Sequence, residues 1–189
     1  MYNTDGTHNT TLGHQALYTN VSGDNNVAVG YKALYTSTAD NGTAVGKEAL
    51  YANTTGIHNT AVGYQALDAN TTGGYNIAVG NSALGACTTG IGNTAMGYAA
   101  LLAATTGGSN TAIGWRTLYT NSTGYNNTAV GYNTLNLTTT GNFNTAVGTD
   151  ALTANTTGTQ NTAVGETSLD NCTTGYINTA IGRAAGDTI

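Results

Sequence analysis

The sequence predicts an all-β fold, a parallel β-solenoid or β-roll of about eleven coils, and three observations predict it. A Gly that follows an aliphatic residue recurs from Gly13 to Gly182 every 17 residues, except for one interval of 16 between Gly30 and Gly46. Seventeen residues are too few for a helical-pair repeat or a propeller blade, which need more than about 30. Charged residues make up only 7% of the chain and Pro is absent, unlike a disordered chain.

The repeat makes the whole chain, residues 1–189, one solenoid domain. Its coils start near residues 9, 26, 42, 59, 76, 93, 110, 127, 144, 161 and 178. A typical coil runs over 59–75, and its residues define positions 1 to 17. The coil that starts at residue 26 lacks one residue within 37–41. A coil of this length has room for two short strands and two turns.

The first strand of each coil reads Asn-Thr-Ala-Val-Gly. Position 4 is aliphatic in all eleven coils, and position 2 is Thr in nine of them. Side chains at alternate strand positions share a face. We therefore expect position 4 to lie inside the coil, and this predicts as core residues Val29, Val45, Val62, Val79, Val130, Val147 and Val164.

Position 3 lies on the opposite face of that strand and is Ala in ten of eleven coils. Such a restriction indicates close packing, which we expect against copies of the same chain around a symmetry axis. The residues of this oligomer position are Ala28, Ala44, Ala61, Ala78, Ala95, Ala112, Ala129, Ala146 and Ala163. In the alternative arrangement Ala fills a narrow interior, and positions 2 and 4 form a long exposed apolar stripe. Such stripes are uncommon on soluble proteins.

A second strand is expected around a small residue at position 8 and Leu at position 9. Leu occupies position 9 in ten of eleven coils and should pack inside against position 4. The predicted core residues are Leu34, Leu50, Leu67, Leu84, Leu118 and Leu152. Positions 12–15 commonly read Asn-Thr-Thr-Gly, which is typical of a turn, and the Asn at position 1 can form a hydrogen-bonded ladder along the axis.

The units over 59–67 and 161–169 resemble the NTAVG-type repeats of phage and prophage tail fibres. They are also similar to the head repeats of trimeric autotransporter adhesins, and the resemblance covers essentially the whole chain. It implies a left-handed, homotrimeric parallel β-roll displayed on a virion or a cell surface.

No cofactor, metal or catalytic site is expected. The acidic residues fall mostly at turn or outward positions, and the one pair that suggests a glycosidase is Asp170 with Asp187. His8 and His14 alone do not make a metal site. Four Lys and Arg are too few for nucleic acid, and no apolar run is long enough to span a membrane. Cys87 and Cys172 lie five coils apart, too far for an intrachain disulfide.

Aromatic residues recur at positions 6 and 10, where charged and amide side chains also occur, so both positions should face outward. Candidate surface-binding residues at position 6 are Tyr31, Tyr64, Tyr98, Trp115 and Tyr132. Such a row can bind a glycan or a protein receptor, or it can pack against a neighbouring chain.

The expected function is that of a structural or adhesive fibre segment, outside the cell or on a virion, and not that of an enzyme. Two alternatives remain. Neither end has a capping sequence, so copies can stack end to end into a filament. Thr-Thr pairs at positions 13 and 14, such as Thr54 with Thr55, suggest an ice-binding solenoid.

Overall fold

The computed structural model describes residues 5–187 and contains one short strand in each coil. Each strand covers positions 2 to 4, the β-branched part of the repeat, and has three residues. The strands are β1 (Thr10–Leu12), β2 (Val27–Val29), β3 (Thr43–Val45), β4 (Thr60–Val62), β5 (Ile77–Val79), β6 (Thr94–Met96), β7 (Thr111–Ile113), β8 (Thr128–Val130), β9 (Thr145–Val147), β10 (Thr162–Val164) and β11 (Thr179–Ile181).

The eleven strands form one parallel sheet in chain order, and each strand pairs with the next. Every pair keeps the same register, so Ala61 lies opposite Ala78 and Val62 opposite Val79. Residues at one coil position therefore stack along the axis, and the predicted all-β parallel solenoid is confirmed. At the strand spacing of about 4.8 Å, eleven coils span about 50 Å.

The predicted inward orientation of the first strand is wrong. The side chains at position 4 point away from the coil interior and are half-buried or exposed: Val29, Val45, Val62, Val79, Val130, Val147 and Val164. Position 3 instead fills the interior, where nine side chains are fully buried within their own chain: Ala28, Ala44, Ala61, Ala78, Ala95, Ala112, Ala129, Ala146 and Ala163. The position assigned to an oligomer contact is thus the core of the single chain.

The physical reason for this orientation is the width of the coil. The interior already holds the large Leu at position 9, which is fully buried at Leu34, Leu50, Leu67, Leu84, Leu118 and Leu152. Asn side chains at positions 1 and 12 enter the same space, including the fully buried Asn59 and Asn70. Only a methyl group from the strand then fits between them, because protein interiors pack without voids.

The predicted second strand is also wrong. Ala83 and Leu84 are consecutive and both fully buried, which an extended strand does not allow because its side chains alternate between faces. Ser82 and Leu84 adopt left-handed φ angles of 54° and 53°. This backbone conformation lets the side chains of both Ala83 and Leu84 point into the interior. Backbone hydrogen bonds still join this segment to the next coil, as from the Leu84 N–H to the Ala100 carbonyl oxygen at 3.0 Å.

The predicted Asn ladder at position 1 is present inside the coil. The Asn110 Oδ1 accepts hydrogen bonds from the Asn127 backbone N–H at 3.0 Å and from its Nδ2 at 3.1 Å. The Asn110 Nδ2 donates to the Gly124 carbonyl oxygen of its own coil at 2.8 Å. These bonds satisfy polar groups that the narrow interior shields from water, so the ladder joins each turn to the strand that follows it.

The short second coil lacks its position 14. The Thr38 N–H donates to the Thr54 carbonyl oxygen, which is the usual bond at position 13. The Asn41 N–H donates to the Asp24 carbonyl oxygen, which is the usual bond at position 17. The missing residue therefore lies between Thr38 and Ala39. Position 14 is exposed in the other coils, so its loss leaves the core intact.

Candidate functional site

One regular surface is the outer side of the parallel sheet, which we call the strand face. It consists of positions 2 and 4 of every coil, and none of its side chains is charged. Its members are Thr10, Val27, Thr43, Thr60, Ile77, Thr94, Thr111, Thr128, Thr145, Thr162 and Thr179, with Leu12, Val29, Val45, Val62, Val79, Met96, Ile113, Val130, Val147, Val164 and Ile181. A continuous uncharged face of this length is typical of a surface that contacts a partner.

The two sets of Thr residues differ in what their hydroxyl groups do. At position 13 the hydroxyl donates to the carbonyl oxygen of the next coil, as from Thr71 to Thr88 at 3.0 Å and from Thr88 to Thr105 at 3.1 Å. On the strand face, the Thr hydroxyls, including that of the half-buried Thr60, take part in no hydrogen bond within residues 5–187. In the Thr-Thr pairs named from the sequence, the hydroxyl at position 13 is therefore already used in a hydrogen bond between coils. The Thr hydroxyls of the strand face remain able to bond to a ligand or to water.

All five aromatic residues predicted at position 6 are exposed. Tyr98, Trp115 and Tyr132 follow one another in three coils and stack, with ring centroids 6.0 Å and 4.8 Å apart. Tyr31 stacks on His14 at 5.6 Å, and Tyr64 lies beside the Lys47 ammonium group at 5.3 Å. The row is thus continuous only around Trp115.

A second aromatic stack lies at position 10 near the start of the chain. Tyr18, Tyr35 and Tyr51 stack at centroid distances of 5.4 Å and 5.2 Å. The Lys32 ammonium group lies 5.3 Å from the Tyr35 ring centroid, within the range of a cation–π contact. A hydrogen bond with Tyr31 raises the pKa of Lys32 above its ordinary value.

Sequence reasoning missed a cleft that is lined by residues at positions 6, 7 and 10 of the coils that start at residues 76, 93 and 110. Position 7 contributes Ser82, Ala99 and Arg116 to the lining, and the first two of these side chains are small. The cleft has a volume of about 240 Å³, and Arg116 is its one charged lining residue. A signal was present in the sequence, since Arg116 is the only Asp, Glu, Lys or Arg between Asp68 and Asp150.

The structure brings Asp170 and Asp187 together at position 10 of adjacent coils. A hydrogen bond with Asp187 raises the pKa of Asp170, and Asn171 Nδ2 donates to Asp187 Oδ1 at 3.0 Å. The neighbouring carboxyl group therefore makes Asp170 harder to ionise than an isolated Asp. Most other charged groups are exposed or partly exposed and pair locally, as Arg183 does with Glu166 at 3.0 Å.

Cys87 and Cys172 are both free thiols. Burial raises the pKa of Cys87 to about 11, so its thiol stays protonated at neutral pH. Within the described part of the chain, no three His, Cys, Asp or Glu side chains converge as metal ligands. His14 and His58 stack instead on Tyr31 and Tyr75.

Fold and surfaces together define a tandem-repeat β-solenoid protein with an uncharged sheet face and aromatic ridges. Comparison with family models, with curated proteins and with solved structures finds no match. Over residues 5–187, no helix has the length and apolar character needed to cross a membrane.

Proposed function

We propose that the chain is a segment of a structural and adhesive fibre, a rigid rod without enzymatic activity. The observation that carries this proposal is the unbroken register of eleven coils, which aligns every surface group into a row along the axis. A stack in which each coil hydrogen-bonds to the next resists bending and presents the same chemistry repeatedly. The resemblance to tail-fibre and adhesin repeats supports display on a virion or a bacterial surface.

The strand face is the proposed site of association, and its occupant is a second and third copy of the chain in a homotrimer with left-handed coils. The face carries exposed or half-buried aliphatic side chains in every coil, with Ile77 and Met96 each 42% exposed. Copies related by a symmetry axis parallel to the rod repeat at the same interval, so they can match this face coil by coil. Because the face carries no charged side chain, association there buries no unpaired charge.

The mass of the native protein tests this assembly. Sedimentation should give three times the 19.0 kDa chain mass. A variant carrying Ile113→Lys and Val130→Lys should sediment as a monomer, because two lysines per chain cannot be buried without partners. The control carries Thr106→Lys and Thr123→Lys, at exposed positions outside the strand face, and should remain trimeric. A monomeric native chain, or a trimeric strand-face variant, would contradict the proposal.

Ice binding is a second candidate, and the unbonded Thr hydroxyls of the strand face favour it. A parallel sheet holds these hydroxyls in a regular row beside a row of aliphatic side chains, and both rows are free of charge. This candidate needs the same face uncovered, so it excludes association there. A monomeric chain that shows thermal hysteresis, lost in the Ile113→Lys and Val130→Lys variant, would replace the trimeric rod with this function.

End-to-end assembly is compatible with the rod. Coils that are nearly identical along the chain offer similar backbone donors and acceptors at any exposed end, and such contacts do not close. Electron microscopy of the purified protein distinguishes discrete rods of about 50 Å from long filaments.

A further inference from the structure

The cleft beside Arg116 is built unlike the rest of the rod. Arg116 lies in a run of more than four coils that holds no other Asp, Glu, Lys or Arg. Its guanidinium carbon lies 5.1 Å from the Trp115 ring centroid and 4.1 Å from the Tyr119 ring centroid. Within residues 5–187 this guanidinium makes no ion pair, and its buried Nε has no hydrogen-bond partner.

A partly buried cation without a counter-ion is unusual in a protein, because burying an uncompensated charge is costly. The chain carries a net charge of −5, yet none of its carboxylates lies within these coils. A guanidinium can donate two parallel hydrogen bonds to a carboxylate. The position of a counter-ion beside Arg116 is therefore open to a carboxylate from outside the chain.

The walls of the cleft also favour a negatively charged ligand. Tyr98 and Tyr132 cover the two faces of Trp115, so Trp115 presents its ring edge to the cleft. Aromatic edges carry partial positive charge, whereas the faces carry negative charge. The lining combines aromatic rings that carry a polar atom, at Tyr98, Trp115 and Tyr119, with the apolar side chain of Leu102.

We propose that this cleft binds one acidic sugar residue of a surface polysaccharide, with its carboxylate on Arg116 and its ring between Trp115 and Leu102. A volume of about 240 Å³ accommodates one small ring and not an extended ligand. A sugar acid matches the lining because its ring has apolar C–H groups as well as hydroxyls. The inference rests on the proposed adhesive role and names a ligand class for it.

Trp115 is the only Trp of the chain, so its fluorescence reports directly on this cleft. We expect tetragalacturonate to shift the emission of the intact protein saturably, and 0.5 M salt to weaken binding because the attraction is ionic. Maltotetraose supplies sugar rings without charge, and acetate supplies charge without a ring. Maltotetraose should bind at least ~10-fold more weakly because it lacks the charge-assisted contact. Acetate should also bind at least ~10-fold more weakly because it lacks the apolar contacts of the sugar ring.

Three variants separate charge from shape. Arg116→Gln should weaken tetragalacturonate binding at least ~10-fold, through loss of the charge-assisted contact. Ala99→Gln should fill part of the cleft with a larger lining side chain and weaken binding similarly while keeping Arg116. The coil already accepts Gln at this position, since Gln65 has the same left-handed backbone as Ala99. The control Arg183→Gln removes an exposed charge elsewhere and should leave binding unchanged.

Four results would overturn the proposal. They are no emission shift with tetragalacturonate, equal binding of maltotetraose, equal binding of benzoate or an aspartate-rich peptide, and unchanged binding after Arg116→Gln. Sedimentation of the same variants keeps the two proposals apart. A trimer that does not bind tetragalacturonate refutes the site alone, whereas a monomer that binds it refutes the assembly alone.

Discussion

The Leu at position 9 combines an unfavourable backbone with a favourable side chain. A left-handed conformation costs a residue with a Cβ about 1–2 kcal/mol, and Leu84 adopts one with φ of 53°. Full burial of its side chain stabilises the folded chain by about 1.5–3 kcal/mol, which offsets that cost. The balance explains why position 9 accepts a large apolar residue in nearly every coil, since a polar residue would bear the backbone cost without the gain.

Leu84→Ala should therefore destabilise the solenoid. The change leaves a cavity that the tightly stacked coils cannot close, and we expect the free energy of unfolding to fall by about 2–5 kcal/mol. Urea unfolding followed by circular dichroism measures it. The matched change Thr89→Ala, at an exposed turn position, should cost less than about 0.5 kcal/mol. Equal effects of the two changes would contradict the burial of position 9.

Asp170 makes the last described coils sensitive to pH. Because the hydrogen bond with Asp187 raises the pKa of Asp170, the protonated form is favoured in the folded chain. Its contribution to stability is complete below the unfolded pKa, near 3.9, and is lost as the pH rises through the raised folded value. Acidification should thus slow amide exchange near Leu169 relative to the central coils.

Asp187→Asn removes the second carboxylate, and a carboxyl titration followed by NMR then checks the cause. We expect the pKa of Asp170 to move down towards its ordinary value in this variant. A pKa of Asp170 that stays raised would mean that burial, and not the neighbouring carboxyl group, causes the shift.

At the scale of the element, the Gly at position 5 determines how closely two coils approach. Gly97 has φ of 133°, a conformation that side chains rarely adopt, and a Cβ there would clash with the carbonyl oxygen of Gly114. Each strand is therefore followed by a Gly at which the backbones of consecutive coils lie in direct contact. Every coil from the first to the eleventh has such a Gly, so the corner is a continuous row.

Gly97→Ala should consequently lower the free energy of unfolding by about 1–3 kcal/mol through backbone strain. Displacement of the next coil should add to this loss. The control is Gly92→Ala, which has φ of 72° but no backbone neighbour close to the added methyl group. Position 17 already accepts Asn126 with φ of 56°, so this control should be mild. Thermal unfolding compares the two, and an equal loss of stability would contradict the close approach at position 5.

At the scale of the whole molecule, the solenoid is a one-dimensional stack in which each coil contacts its neighbours. Stability then depends on coil interiors and on the interfaces between consecutive coils, and not on distant parts of the chain. The strand face and the Arg116 cleft use different positions of the coil, and the cleft borders the aromatic row at Tyr98 and Trp115. One surface can therefore associate while another remains free to bind.

Removal of one whole coil should be tolerated. Deletion of residues 76–92 joins position 17 to position 1, and the circular dichroism spectrum per residue should not change. Deletion of residues 76–84 removes nine residues and places position 10 after position 17, which breaks the register of every row at that point. We expect this second protein to unfold at a clearly lower temperature. A comparable loss from both deletions would show that the coils are not the folding units.

The sequence by itself determined the period, the parallel stacking, the Leu core and the Asn ladder. Each follows from a residue type repeated at a fixed interval, and identical side chains in register leave few alternatives. The direction of the strand face required the tertiary structure, because Thr-Ala-Val alternates equally well in either direction. The orientation is decided by the space that the Leu and Asn side chains leave in the interior. That space depends on the left-handed residues at positions 7 and 9. The Arg116 cleft likewise required the tertiary structure, because its lining residues come from three consecutive coils.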